Sequence, residues 1–246
     1  MVYTIFLSVR GDYNFYIIIN KCAVSFVLWE QQQGGNFMSK TKTSKKVRTL
    51  TYMAVLTAIM ILFSFTPIGY LKLGLIEISF MTIPVIVGAI VLGPLCGAIL
   101  GGIFGISSFL TCFGIGVPSA FGATLLAINP FYTFIVCFVS RVLMGLLTGF
   151  IFKWLRKIDK TKIISFGITG LCGSVLNTIL FMSSLLLLFW NTSYIQELAA
   201  GMNVFAFVVA FVGIQGLVEA LVCFVVATAV SKILVHFLPV DDAIKV

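Results

Sequence analysis

From position 48 onward, short polar clusters separate six long apolar runs, at roughly 48 to 67, 77 to 93, 95 to 113, 130 to 152, 163 to 190 and 204 to 230. Most of these runs reach the ~20 residues that an α-helix needs to cross a hydrocarbon core about 30 Å thick. They predict six membrane-spanning helices. The second run is marginal. Pro84 lies inside it and Gly93-Pro94 ends it, so the pattern predicts a short or kinked helix with a tight turn into the third.

Composition turns this pattern into a class. AVILMFWYC residues make up 60% of the 246 positions and charged residues only 10%, and the mean hydropathy is +1.15. A soluble domain covers its surface with about a quarter charged residues, so most of this surface must face hydrocarbon. The expectation is an all-α integral membrane protein, a six-transmembrane-helix bundle at 48–236.

The net charge of +8 does not point to nucleic acid, because the cations sit between the apolar runs. One cluster is Lys40, Lys42, Lys45, Lys46 and Arg48; a second is Lys153, Arg156, Lys157, Lys160 and Lys162; Lys232 and Lys245 follow. Short basic loops stay on the cytoplasmic side and meet anionic lipid there. Placing the first cluster inside also puts the second inside after four crossings and the C-terminus inside after six. Both termini are thus expected in the cytoplasm, with 38–47 as a basic leader to the bundle and 237–246 as a tail. The outward connections carry only Lys72, Glu77 and Glu197 as charges.

Residues 1–37 read differently. The apolar stretch Ile17 to Trp29 is broken by Asn20 and Lys21 and is too short to span. It also makes a poor signal peptide, having no cation before the first apolar run and no small-residue cleavage site after the second. Met38 then opens a polar, basic stretch directly before a convincing span, which makes Met38 the expected biological start and 1–37 a non-native extension.

The six cysteines are spread singly, and the lone histidine, His236, closes the last run. They read as small core residues, with no metal site and no cofactor expected. Nor is there a Walker A sequence, an HExxH pair or a chain of intramembrane carboxylates. An enzyme or a self-powered pump is therefore not expected.

Against this apolar background the formal charges inside the spans stand out. Arg141 lies about eleven residues, or roughly 16 Å, below the outer end of the fourth run, close to mid-bilayer. Glu219 sits at comparable depth in the sixth run and Asn177 in the outer half of the fifth. An intramembrane charge is expensive unless it is paired or faces a wet cavity. Two readings follow: an internal Arg141–Glu219 ion pair with Asn177 as a bridge, or a ligand pocket formed by all three. If Glu219 neutralised Arg141, an anionic ligand would need another cation, such as Lys72. In the loop before the fourth run, Ser119, Thr124 and Asn129 suit a small hydroxylated ligand, although Asn129-Pro130 equally makes a helix N-cap. Small residues align at Gly97, Gly101 and Gly105, and at Ala54 and Ala58, which favours close helix approach.

Several phrases resemble the substrate-binding S components of energy-coupling factor (ECF) vitamin transporters: LTYMAVLTAIMIL after a basic start, IPVIVGAIVLGP leading into CGAILGGIFGISSF, GSVLNTILF, and QGLVEALV. The resemblance covers roughly 45–235, and the wording is most similar to the pantothenate type. It implies a subunit that captures a vitamin outside and releases it inside when docked on a transmembrane coupling (T) subunit driven by two cytoplasmic ATPases. It also implies docking through Ala54 and Ala58, and a binding site drawn from Tyr70, Lys72, Asn129, Arg141 and Asn177. Pantothenate is an anion with two hydroxyls and an amide, which Arg141, Asn177 and Asn129 would suit. Folate or riboflavin, a ligand-free membrane scaffold and a lone secondary permease are the alternatives. Mass spectrometry of the native N-terminus should find peptides beginning at Met38; peptides from 1–37 would refute that start.

Overall fold

The computed structural model of the protein describes residues 45–66, 69–73, 76–158, 164–199 and 201–237. The expected Met38 start and the 238–246 part of the tail lie outside the described residues. The chain divides into two compact units, 1–50 and 51–246. In chain order the elements are α1 (Lys45–Phe65), β1 (Tyr70–Leu73), β2 (Ile76–Ser79), α2 (Thr82–Leu92), α3 (Pro94–Cys112), α4 (Ala120–Ile128), α5 (Pro130–Ile158), α6 (Ile164–Phe189), α7 (Ser193–Ala199) and α8 (Val204–Phe237).

Each of the six apolar runs holds a helix: α1, α2, α3, α5, α6 and α8. Among the described residues four helices are long and apolar enough to cross a membrane, at Val47–Phe65, Pro94–Cys112, Pro130–Ile158 and Ile164–Phe189. The pair Ser193–Ala199 and Val204–Ala210, bent by 75°, is a fifth candidate. Large apolar side chains turn outward along these helices, with Leu187 84% and Phe205 80% exposed. Such exposure is tolerable only where lipid replaces water.

The all-α bundle carries one short β-hairpin, and the helix expected from position 77 begins only at Thr82. Residues 77–79 leave the second apolar run and join Ile76 in β2, which pairs antiparallel with β1, with Tyr70 opposite Ser79 and Lys72 opposite Glu77. The sequence IEIS alternates β-branched and polar residues with a period of two, which favours a strand over a helix. What remains is the 11-residue α2, which at 1.5 Å per residue is only about 16 Å long. Pro84 falls in its first turn, where the missing N–H belongs to a group with no intrahelical partner in any case, so the helix is short without being broken.

Nearly every residue of α2 is buried, and it packs against α3, α5, α6 and α8. A helix apolar on all sides belongs in the middle of a bundle. The Gly93 turn into α3 has φ 98°, a left-handed conformation open to glycine and costly for other residues.

The closest helix crossing joins α3 to α5. A Cβ on Gly101 would stand 2.2 Å from the carbonyl oxygen of Arg141, one on Gly97 2.6 Å from that of Gly145, and one on Gly145 2.1 Å from that of Gly97. Without a hydrophobic force between helices in lipid, such close backbone approach is how dispersion contact accumulates. The glycine face is thus used within the bundle. Gly101→Ala is expected to cost about 1–3 kcal/mol through overpacking and to lower the melting temperature in detergent. Gly213→Ala, whose Cβ would meet nothing nearer than Val209 Cγ1 at 3.8 Å, should leave it unchanged or raise it. Equal effects would contradict the role of the α3–α5 seam.

Candidate functional site

The seam sets the position of Arg141, because Gly101 on α3 presses against its backbone. One turn further along α3, Phe104 lies with its ring centroid 5.3 Å from the guanidinium carbon, and the Phe181 ring of α6 lies at 4.6 Å. Ring faces attract a cation and partly replace its lost hydration. Nη1 donates to the Val136 carbonyl and to Ser140 Oγ, each at 3.0 Å. Ser140 Oγ in turn donates to the Val136 carbonyl in a short contact. The α5 backbone therefore holds one edge of the guanidinium, while the buried Nε has no partner.

Glu219 of α8 is fixed independently. Its Oε1 accepts from Thr82 Oγ1 at 2.9 Å and from Asn177 Nδ2 at 3.4 Å. Thr82 opens α2, so the short central helix and α6 both hold this carboxylate. Arg141 and Glu219 are both buried, at 8% and 5% exposure, yet neither has the other among its partners. The internal ion pair is not formed. Each charge keeps its own set of neutral contacts.

Both charges, with Asn177, line one cavity of about 150 Å³. Its wall is drawn from β2, α3, α4, α5, α6 and α8 and includes Ser79, Phe104, Thr133 and Phe181. Because the C-terminal end of α3 and the N-terminal end of α5 meet there, the cavity lies at the end of the bundle away from Lys153, Arg156 and Lys157. Its polar inventory is incomplete within the protein, since Arg141 Nε, Asn177 Oδ1 and Ser79 Oγ are buried without hydrogen-bond partners. Groups of this kind are rare in a native interior unless water or a ligand completes them.

The structure brings together three of the sequence-derived candidates, Arg141, Asn177 and Glu219, and separates others. Asn129 is absent from the cavity wall. Its Oδ1 accepts from the amides of Phe131 and Tyr132 at 3.1 and 3.2 Å, capping α5. Ser119 lines the cavity but also caps α4 by accepting from the Gly122 amide at 3.3 Å. Thr124 turns back to the Ala120 carbonyl at 3.0 Å. Tyr70 and Lys72 lie on β1, with Tyr70 the register partner of the cavity residue Ser79; their side chains lie outside the described residues. Ala54 and Ala58 lie on an exposed face of α1. Sequence reasoning missed Thr82, Ser79, Phe104 and Phe181. Only the period-two pattern at 76–79 offered a signal for any of them, by moving Ser79 out of the helical run.

The family model for the ECF transporter, substrate-specific component, matches residues 48–231. The chain is 25% identical over 209 residues to a pantothenic acid transporter PanT of Lactococcus lactis subsp. cremoris, covering 78% of this chain and 94% of the relative. It is 30% identical over 148 residues to a pantothenate transporter PanT of Leuconostoc mesenteroides subsp. mesenteroides, covering 58% of this chain and 68% of that one. A solved S-component for biotin from an ECF-type ABC transporter superposes with a TM-score of 0.51 at 19% identity, over 78% of this chain and 95% of its own; that likeness concerns the fold. With a matching family model over most of its length and a polar cavity inside a membrane bundle, the chain belongs to the substrate-specific components of ECF transporters, multi-pass membrane proteins that serve vitamin uptake and are not enzymes.

Proposed function

We propose that this chain binds pantothenate from outside the cell and hands it inward when docked on an ATP-driven coupling module. The observation that carries the substrate assignment is the buried Arg141 guanidinium, which lines the cavity with Nε unsatisfied and, among the described residues, no carboxylate against it. A cation desolvated in this way has a large interaction energy available for an anion, and a guanidinium offers a carboxylate two parallel hydrogen bonds. The two PanT relatives support pantothenate among vitamin anions.

On this reading α1, α2, α3, α5, α6 and α8 make six crossings with both termini in the cytoplasm. The basic end of α5 then lies inside and the cavity opens outside, as the distribution of Lys and Arg favours. Tyr70 and Lys72, on the strand paired with the one that carries the cavity residue Ser79, are the hairpin's candidates for ligand contact. The chain offers no nucleotide-binding motif, so its partners are a transmembrane coupling subunit and two cytoplasmic ATPases. Ala54 and Ala58, exposed on α1, present a small-residue face where such a subunit can approach its backbone closely.

Two experiments test the reading. Arg141→Gln in detergent-solubilised protein should weaken pantothenate binding, measured by calorimetry, by about 10- to 100-fold, the range for losing hydrogen bonds to a charged group. Unchanged affinity would return Arg141 to a structural role. Separately, Ala54→Trp or Ala58→Trp should abolish uptake in cells carrying the full transporter while leaving calorimetric binding intact. Normal uptake would refute docking through α1.

A further inference from the structure

We infer that the cavity has two chemically opposite ends, and that Glu219, with Asn177 and Ser79, selects a ligand bearing hydroxyl donors at the end remote from its carboxylate. The inference rests on the pantothenate reading and adds to it which residues determine specificity.

The first observation is that the two charges do not pair, although both line the cavity. Opposite charges buried in one small cavity attract strongly, and pairing would be the obvious resolution. Here each is held by its own contacts: Arg141 by the Val136 carbonyl, Ser140 and two aromatic rings, Glu219 by Thr82 and Asn177. Asn177 and Thr82 come from different helices, so the carboxylate is fixed before any ligand arrives.

The second observation is what the Glu219 end leaves unused. Thr82 and Asn177 both bond to Oε1, and among the described residues no donor reaches Oε2. One N–H of the Asn177 amide goes to Glu219, and its Oδ1, an acceptor only, is buried and unpartnered. Ser79 Oγ, at the end of β2, is also buried and unpartnered. With Glu219 ionised, two of these three atoms can only accept hydrogen bonds, and the third can do either. The complementary ligand group is a donor, and a pair of hydroxyls supplies both the donors and one acceptor for Ser79. A ligand with an apolar far end would desolvate these acceptors without replacing their hydrogen bonds, which is how polar sites reject analogues that lack a hydroxyl.

The test compares two ligands on the purified full chain: pantothenate, and the N-acyl-β-alanine of the same carbon skeleton without its hydroxyls, followed by calorimetric displacement. The unaltered protein should bind the dideoxy acid at least 10-fold more weakly than pantothenate. Glu219→Gln should weaken pantothenate by about 10-fold or more and leave the dideoxy acid within about two-fold, whereas Arg141→Gln should weaken both. Ser79→Ala covers the case in which Glu219→Gln disturbs folding, because the Ser79 hydroxyl has no hydrogen bond to the protein that the change would break. It should lower affinity for pantothenate alone. If Glu219→Gln or Ser79→Ala weakened both ligands equally, or neither, the selection of hydroxyls would be overturned while the carboxylate role of Arg141 stood. If pantothenate failed to bind the unaltered protein at all, the vitamin assignment would fall and this inference with it.

Discussion

The contact on which the site depends is the glycine seam between α3 and α5. Where Gly97 and Gly101 meet Gly145 and the backbone of Arg141, no Cβ fits between the two helices. Lipid tails are as apolar as any leucine, so these helices gain little from hiding apolar surface and must gain from close contact. The seam also fixes the relative rotation of the two helices. That rotation brings the Arg141 guanidinium beside the Phe104 ring and turns both toward the cavity.

A guanidinium buried at this depth is costly in itself. The protein reduces the cost with neutral groups: two π faces, a main-chain carbonyl and a hydroxyl. None of these cancels the charge. An ion pair with Glu219 would have been a more stable resting arrangement and a poorer receptor, because an anionic ligand would first have to break it. The Thr82 and Asn177 contacts that hold Glu219 elsewhere belong to the same design. On the proposed reading the site is preorganised, its polar groups positioned by helices before a ligand enters.

On the proposed reading, the position of the cavity near one end of the bundle suits a subunit that captures substrate from one side of the membrane. On the proposed reading, the faces for ligand and partner lie on different elements. The cavity draws on β2, α3, α4, α5, α6 and α8, while the exposed alanines belong to α1. Binding and docking can then be altered independently.

Much of the architecture was legible in the residue order. Hydropathy alone placed a helix in each of the six apolar runs, four of them long and apolar enough to cross a membrane, because the cost of placing a polar segment in hydrocarbon depends on composition and length and not on neighbours. The same cost singled out Arg141 and Glu219 as rare charges within apolar runs, and Asn177 as their polar companion. Only the tertiary structure decided how those groups meet. In water, the polar face of a helix reveals which way it points; in lipid the outward and inward faces are both apolar, so the rotation of α6 or α8 about its axis leaves little trace in the sequence. For that reason the meeting of Phe104 and Phe181 around Arg141, the capture of Glu219 by Thr82, and the lack of an ion pair emerged only from the packed helices. Asn129 was ambiguous for a related reason: a side chain that caps a helix and one that contacts a ligand use the same amide, and only its hydrogen bonds to the α5 amides assign it to the cap.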